Sequence, residues 1–327
     1  MVRMSEISPE SSPGAAPDPA PNVPAVPAAR SHRSGFVAVA GRPNVGKSTL
    51  MNAYLGQKIA IVSSKPQTTR HTQLGILTRP DAQVIFVDTP GIHEPLNPLG
   101  EYMVEAATRA LSDSDVILFI VDVSVMPGPS DQRLARLIDE LPRPAPVVLA
   151  LNKSDRLKPE NILPNTQAYS ALMPNAQWML ISATRGDNLG ELLELVVAAL
   201  PEGPQLFPED EVTQTHIRDL AAEFVREAAL NLLAEEVPHG IAVEIEEFKE
   251  RGDAGAFIAA TVYVERESHK GIVIGRGGQM LKQIGTAARE QIEALLGSKV
   301  FLELHVKVRA NWRKSESDVK RLGYSRQ

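Results

Sequence analysis

The sequence predicts an α/β domain built on a doubly wound, mostly parallel sheet, followed by a smaller α+β domain. Three observations carry that expectation. Between residues 35 and 200, short continuous apolar runs alternate with helical stretches, the pattern of strands buried on both faces. A glycine-rich loop, G-x-x-x-x-G-K-S, joins the first of these runs to the first helix. After Pro201-Glu202-Gly203-Pro204 the order changes to a long amphipathic helix, two strands, a glycine-rich turn, a helix and a last strand.

The elements follow in order. Residues 1–33 hold seven prolines in the first thirty positions, among Ala and Ser, and cannot bury a core; a disordered tail is expected. They lack the apolar stretch of a secretory signal, and Glu6, Glu10 and Asp18 argue against a transit peptide. Strands are expected at 36–40, 84–87, 116–121, 147–151 and 179–181, with a weaker one at 74–77. Helices are expected at 47–55, 100–111, 131–140, 161–172 and 189–200. A linker over 204–212 separates a first domain at 34–203 from a second at 213–312. The second opens with a helix at 214–235, then strands at 241–248 and 256–264. The turn Gly275-Arg276-Gly277-Gly278 leads into a helix reaching residue 295 and a strand at 299–308. The order is α-β-β-α-α-β if a short helix occupies 270–274. Residues 313–327 read as a charged, loosely held tail.

Composition narrows the function. The chain has no cysteine, which excludes disulfides, thiolate metal sites and cysteine nucleophiles, and fits a reducing compartment. No stretch reaches transmembrane length. The net charge of −6 is unevenly spread. Residues 266–327 carry 13 basic and 6 acidic side chains, a local charge of +7, which leaves −13 for the remainder. That split points to a polyanionic partner for the C-terminal end or to a solvated basic face.

Four motifs carry chemistry. Gly41-Arg42-Pro43-Asn44-Val45-Gly46-Lys47-Ser48, with Thr49 opening the helix, is a phosphate-binding loop. Its amides and the helix N-terminus face an anion, Lys47 reaches the β- and γ-phosphates, and the Ser48 hydroxyl ligates Mg²⁺. Asp88-Thr89-Pro90-Gly91, followed by Ile92, ends a strand beside this loop. Asp88 is suited to hold Mg²⁺ through a water and the Gly91 amide to sense the γ-phosphate. Asn152-Lys153-Ser154-Asp155 is an N-K-x-D sequence, in which Asp155 accepts two hydrogen bonds from guanine and from no equivalent pair on adenine. Ser182-Ala183-Thr184 would offer the Ala183 amide to guanine O6. Between the first two motifs lies Lys65-Pro66-Gln67-Thr68-Thr69-Arg70-His71, where Thr69, or failing it Thr68, completes the Mg²⁺ shell with bound GTP.

Together these residues resemble the Era family of bacterial ribosome-associated GTPases over about residues 35–320. Pro66-Gln67-Thr68-Thr69-Arg70-His71 resembles that family's first switch, and Asp88-Thr89-Pro90-Gly91-Ile92-His93 its second. Val273-Ile274-Gly275-Arg276-Gly277-Gly278, with Leu281, Lys282, Ile284 and Gly285, resembles the nucleic-acid loop of its type II KH domain. The resemblance implies a Ras-like P-loop GTPase domain with a mostly parallel six-stranded sheet, one strand near 74–77 antiparallel, and then a type II KH domain. It implies slow hydrolysis of GTP to GDP, since Ile92 stands where Ras-like enzymes place a catalytic glutamine. It also implies a K⁺ ion at Asn44. Lys47, Thr69, Gly91 and Asn44 would be the catalytic set. The KH loop would clamp about four nucleotides of single-stranded RNA, with Ile272 and Ile274 under the bases and Gly275, Arg276, Gly277, Gly278 and Lys282 along the backbone. The implied RNA is the 3′ end of 16S rRNA and the implied role is maturation of the 30S subunit, with nucleotide state gating RNA access. A cytoplasmic monomer is expected, with weak peripheral contact at the inner face of the cell membrane in this family. Rival readings fit less well: a double-GTPase factor needs a second phosphate loop, the tRNA-modification GTPase needs a C-terminal cysteine, and Asn152–Asp155 together with the KH-like C-terminal end disfavour a metabolic kinase.

Overall fold

The computed structural model describes residues 32–324, apart from Ser64, Pro66, His93, Glu235, Glu236, Arg251, Asp253 and Ala254. Residues 1–31 of the proline-rich tail lie outside the described residues, as do Pro66 of the first switch and His93 of the second, while Arg33, expected in the tail, already pairs in the first sheet. Residues 31–327 form one compact unit.

The first sheet is six-stranded, in the order β2-β3-β1-β4-β5-β6. Its strands are β1 (Arg33–Ala40), β2 (Gln73–Thr78), β3 (Ala82–Asp88), β4 (Val116–Asp122), β5 (Val147–Asn152) and β6 (Gln177–Leu180). All neighbours run parallel except β2 against β3, so the expected antiparallel strand is present. Helices α1 (Lys47–Leu55), α2 (Pro98–Asp113), α3 (Pro129–Asp139), α4 (Ile162–Leu172) and α5 (Leu189–Ala199) cover the two faces. Every residue of β3 and β4 is buried, which is why these strands read as unbroken apolar runs rather than as alternation. The strand order reverses at β1, between β3 and β4, and the phosphate loop leaves β1 at that point. Ligands bind parallel α/β sheets at such a switch point, beyond the strand C-termini.

The second sheet has three strands, β7 (Ala242–Glu250), β8 (Ala256–Val264) and β9 (Val300–Val308). β7 pairs antiparallel with β8, and β9 pairs parallel with β8. One face is covered by α6 (Ile217–Leu232), α7 (Glu267–Ile274) and α8 (Gln279–Leu296). The short helix before the glycine turn is thus present and three residues longer than expected, giving the α-β-β-α-α-β order.

Two expectations are corrected. Residues 204–212 are not a free connection: Ile76 N donates to Val212 O at 2.8 Å, and the Gln83 side chain accepts from Leu206 N and donates to Phe207 O. The segment is tied to the edge strand β2 at the Ile76 amide, an outer backbone group that would otherwise lack a partner, and to the Gln83 side chain of β3. Nor are residues 313–324 loose. Trp312 is fully buried, and α9 (Glu316–Arg321) brings Val319 and Tyr324 into a cluster with Leu99, Met103, Ala242 and Tyr263. Burial of an indole such as this is worth roughly 3–5 kcal/mol on truncation. Lys314, Glu316, Lys320 and Arg321 are exposed, and these charges mask the few apolar positions that anchor the stretch.

Candidate functional site

The phosphate loop is shaped by contacts to the strand ends around it. Gly46 has φ 107°, and an added Cβ would lie 2.3 Å from Asn152 Nδ2, so no larger residue fits. Lys47 curls back over the loop, its Nζ 3.1 Å from Gly41 O and 3.4 Å from Arg42 O. Its burial pushes the ammonium below its usual range, opposed by the nearby Asp88 carboxylate; the same burial pushes Asp88 up, opposed by Lys47. Each charge is incompletely compensated, and an arriving polyphosphate would supply what Lys47 lacks.

Three oxygens meet beside it. Ser48 Oγ donates to Asp88 Oδ2 at 2.8 Å and lies 3.2 Å from Thr69 Oγ1, which is 3.3 Å from the same Asp88 oxygen. Asp88 Oδ1 is buried and has no hydrogen-bond partner. A hydroxyl pair beside an unsatisfied buried carboxylate oxygen fits a hard divalent cation such as Mg²⁺. Of the two candidate threonines, Thr69 stands here, whereas Thr68 Oγ1 donates to Lys65 O at 2.7 Å.

Lys47, Ser48, Thr68 and Thr69 border a cavity of about 280 Å³, lined also by Pro43, Asn44, Gly46, Thr49, Gly91, Asn152, Lys153 and Ala183. At its far end Asn152 is a strut. Its Nδ2 donates to Val45 O at 2.6 Å and its Oδ1 accepts from Ala183 N at 2.9 Å, joining the first and last motifs. Asp155 Oδ1 accepts from Ser182 Oγ at 2.7 Å, which orients the carboxylate. Lys153 Nζ donates to Asp122 Oδ2 at 2.7 Å; burial works against the Asp122 charge, yet Lys153 and the Ser124 hydroxyl hold the carboxyl below its usual range. Arg42 turns away toward Asp131 at 3.4 Å. Thr89 is structural, donating to Val39 O at 2.8 Å and tying β3 to β1. Gly41, Val45, Asp88, Thr89, Pro90, Asp155 and Ser182 do not line the cavity wall. Neither does Ile92, which packs into the core with Ala38 and Ala40. Ile61, Val62, Ser63 and Arg156 do line it, although no motif flagged them.

Behind the cavity the loop carrying Thr69 is gripped by the second half of the chain. Arg226 of α6 donates to Thr68 O and is paired with Glu223, at 2.9 Å from its Nε. Glu227, one residue on, accepts from Val62 N at 2.8 Å and from Lys58 Nζ at 2.6 Å. The buried Arg70 donates to Ile241 O at 2.6 Å and His239 O at 3.1 Å, and its guanidinium lies 5.7 Å from the Trp312 ring centroid. His71 stacks on Tyr324 with centroids 4.5 Å apart, and its Nδ1 lies 3.2 Å from Tyr102 OH. Burial pushes the His71 imidazole below its usual range.

On the second sheet, a groove of about 410 Å³ runs between α8 and β9, with Gly278 and Lys282 in its wall. Gly275 has φ 73° at the end of α7, with space for no side chain against Met280. Ile272, Ile274, Gly275, Arg276 and Gly277 lie outside the groove wall. Ile272 and Ile274 are two residues apart on one helix and therefore on opposite sides of it, so one base cannot rest on both. Leu281, Gly285, Thr286, Arg289, Val300, Phe301, Leu302 and Leu304 complete the wall.

A phosphate loop at the sheet's switch point, an N-K-x-D strand end and a KH-type fold in one unit define a P-loop GTPase joined to a nucleic-acid-binding module. Comparison with known proteins agrees. The family described as 50S ribosome-binding GTPase matches residues 36–153, and the KH domain family matches residues 236–313. GTPase Era of Ruminiclostridium cellulolyticum is 48% identical over 90% of this chain and 98% of its own length; that of Lacticaseibacillus paracasei is 50% identical over 90% and 97%. The crystal structure of Era in complex with MgGDPNP and nucleotides 1506–1542 of 16S ribosomal RNA superposes with a TM-score of 0.85 at 44% identity, covering 90% of this chain and all of that one. A variant of Aquifex aeolicus Era bound to GDP and AlF4⁻ gives 0.84 at 43% identity over 90% of this chain. The chain belongs to the Era family of GTPases.

Proposed function

We propose that this GTPase acts in assembly of the small ribosomal subunit, binding the single-stranded 3′ end of 16S rRNA in its KH groove under control of the bound nucleotide. The observation that carries the control is the grip on either side of Thr69: Thr68 O is held by Arg226, and the Arg70 side chain is held by the carbonyls of His239 and Ile241. A threonine that moves with the γ-phosphate thereby pulls on α6 and on the segment before β7, both parts of the RNA-binding half. The RNA assignment draws on the relative solved with 16S nucleotides and on the +7 charge of residues 266–327.

In hydrolysis, Lys47 and the loop amides hold the β- and γ-phosphates, and the Gly91 amide faces the γ-phosphate. Ser48, Thr69 and, through water, Asp88 would hold Mg²⁺, which supplies charge neutralisation on the transferring phosphoryl group. Ile92 is in the core and orients no water, so intrinsic turnover is slow. Asn44, at the cavity wall with φ 65°, would hold K⁺. Asp155 selects guanine; the Ala183 amide, expected to face guanine O6, is instead donated to Asn152 Oδ1. The protein acts as a cytoplasmic monomer; no helix of the described residues is long and apolar enough to cross a membrane, and any membrane contact is peripheral.

The test is titration of a 3′-terminal rRNA oligomer against the protein loaded with a non-hydrolysable GTP analogue or with GDP. Tighter binding in one state is expected; equal affinities would remove the gating. Turnover in KCl should exceed that in NaCl at equal ionic strength, and equal rates would remove K⁺ from Asn44.

A further inference from the structure

We propose that Phe301 is a base-stacking platform that extends the KH groove beyond the nucleotides clamped at the glycine turn. Its ligand is one unpaired base of the same RNA strand, and the inference rests on the reading that this groove binds single-stranded RNA.

β9 is an edge strand: among the described residues no other strand pairs with its outer side. Along it Val300, Leu302 and Leu304 turn toward the helices, and Leu304 lies against Gly285 of α8. Phe301, between them, faces the other way and is 64% exposed. Its register partner on β8, Phe257, stacks against it with ring centroids 5.7 Å apart and an interplanar angle of 12°. One face of the Phe301 ring is therefore covered and its orientation fixed, while the side chain remains largely in water. A cross-strand aromatic pair stabilises a sheet by itself, but that role favours burial of both rings rather than presentation of one.

The surroundings select the occupant. Phe301 shares its groove with Lys282 and Arg289, both exposed, seven residues apart on one face of α8 and so about 10 Å apart along its axis. Arg289 is about 16 Å along the helix from Gly278 and the glycine turn. A backbone running from the turn past Lys282 reaches Arg289 with its next base beside Phe301. Bases of any identity stack on an aromatic face, so the platform adds affinity with little sequence preference. A protein segment would gain less from the two cations and is the competing occupant.

The experiment uses the full chain loaded with GTP analogue, and 3′-terminal rRNA fragments of two lengths: a tetranucleotide, and an oligomer twice as long carrying 2-aminopurine near its distal end. Phe301→Ala should weaken the longer oligomer about 5- to 100-fold and leave the tetranucleotide within about twofold. Phe301→Trp should retain both affinities and the quenching of 2-aminopurine that Phe301→Ala loses. Equal affinity of wild type and Phe301→Ala for the longer oligomer, or equal weakening of both lengths, would overturn the platform. Failure of the wild type to bind either RNA would instead remove the underlying RNA reading, and Phe301 would then be left to a protein partner.

Discussion

The loop at residues 65–71 has two sides, and they are built by opposite means. Its front faces the nucleotide cavity, where each contributing motif is a contiguous string at a strand end. Its back meets a seam of buried charge and stacked rings whose partners in the second half of the chain are 158 to 254 residues away. A site for a ligand can be assembled from main-chain amides and a few short loops. A joint between two halves of a chain needs side chains matched across the tertiary fold, and each buried charge there must find its partner or cost stability. The front is therefore tolerant of its surroundings and the back is not.

The largest expected effect sharpens the front. Lys47→Ala removes the ammonium that curls over the phosphate loop, and the loss should exceed about 100-fold in GTP affinity, the equivalent of roughly 3 kcal/mol for an unpaired buried charge. Because Lys47 is held uncomfortably by burial in the nucleotide-free protein, the unliganded melting temperature should hardly move. Calorimetry with Mg²⁺ and a thermal scan measure both. GTP binding within tenfold of wild type would mean that the amides suffice, and the contrast between the two sides would narrow.

The next effect sits at the back. Arg226→Met frees Thr68 O and leaves Glu223 buried without its partner, so unfolding free energy should fall by about 3–5 kcal/mol. Adding Glu223→Gln should recover much of that loss, since both charges are then gone. Affinity for the GTP analogue should drop more than affinity for GDP, because only the former calls on Thr69. Equal losses for the two nucleotides would disconnect the seam from the cavity.

How much of this was legible in sequence follows the same division. The alternating apolar runs and the four motifs placed the six strands and the nucleotide-site residues near each other, because parallel α/β sheets collect their loops at one edge. Thr69 was separable from Thr68 only as a preference, since adjacent residues differ by which way the backbone turns them. Arg70 and His71 read as parts of a polar loop; nothing in their neighbours announces direct packing against His239, Trp312 and Tyr324. The C-terminal residues were misread for the same reason, their anchoring rings being spaced among charges with no period. Phe301 sat unremarked in an alternating strand, since alternation tells which residues share a face and not whether that face is covered.

The smallest expected effect tests the seam by pH. His71 is sandwiched between Tyr102 and Tyr324, and burial lowers its pKa, with Glu223 opposing and Arg226 and Arg70 adding to the fall. The folded state therefore holds the ring neutral, while the unfolded chain takes a proton near pH 6.5. The unfolded state binds more protons below that point, so stability contributed by His71 is complete above about pH 6.5 and is lost as pH falls toward the folded value. The slope is bounded by one proton, about 1.4 kcal/mol per pH unit. His71→Gln should remove it: urea unfolding at pH 7.5 and pH 5.5, about one unit either side of the free imidazole, should show a smaller loss in the variant than in the wild type. Parallel losses would mean that the imidazole is as free in the fold as in the open chain, and that the seam leaves it accessible to water.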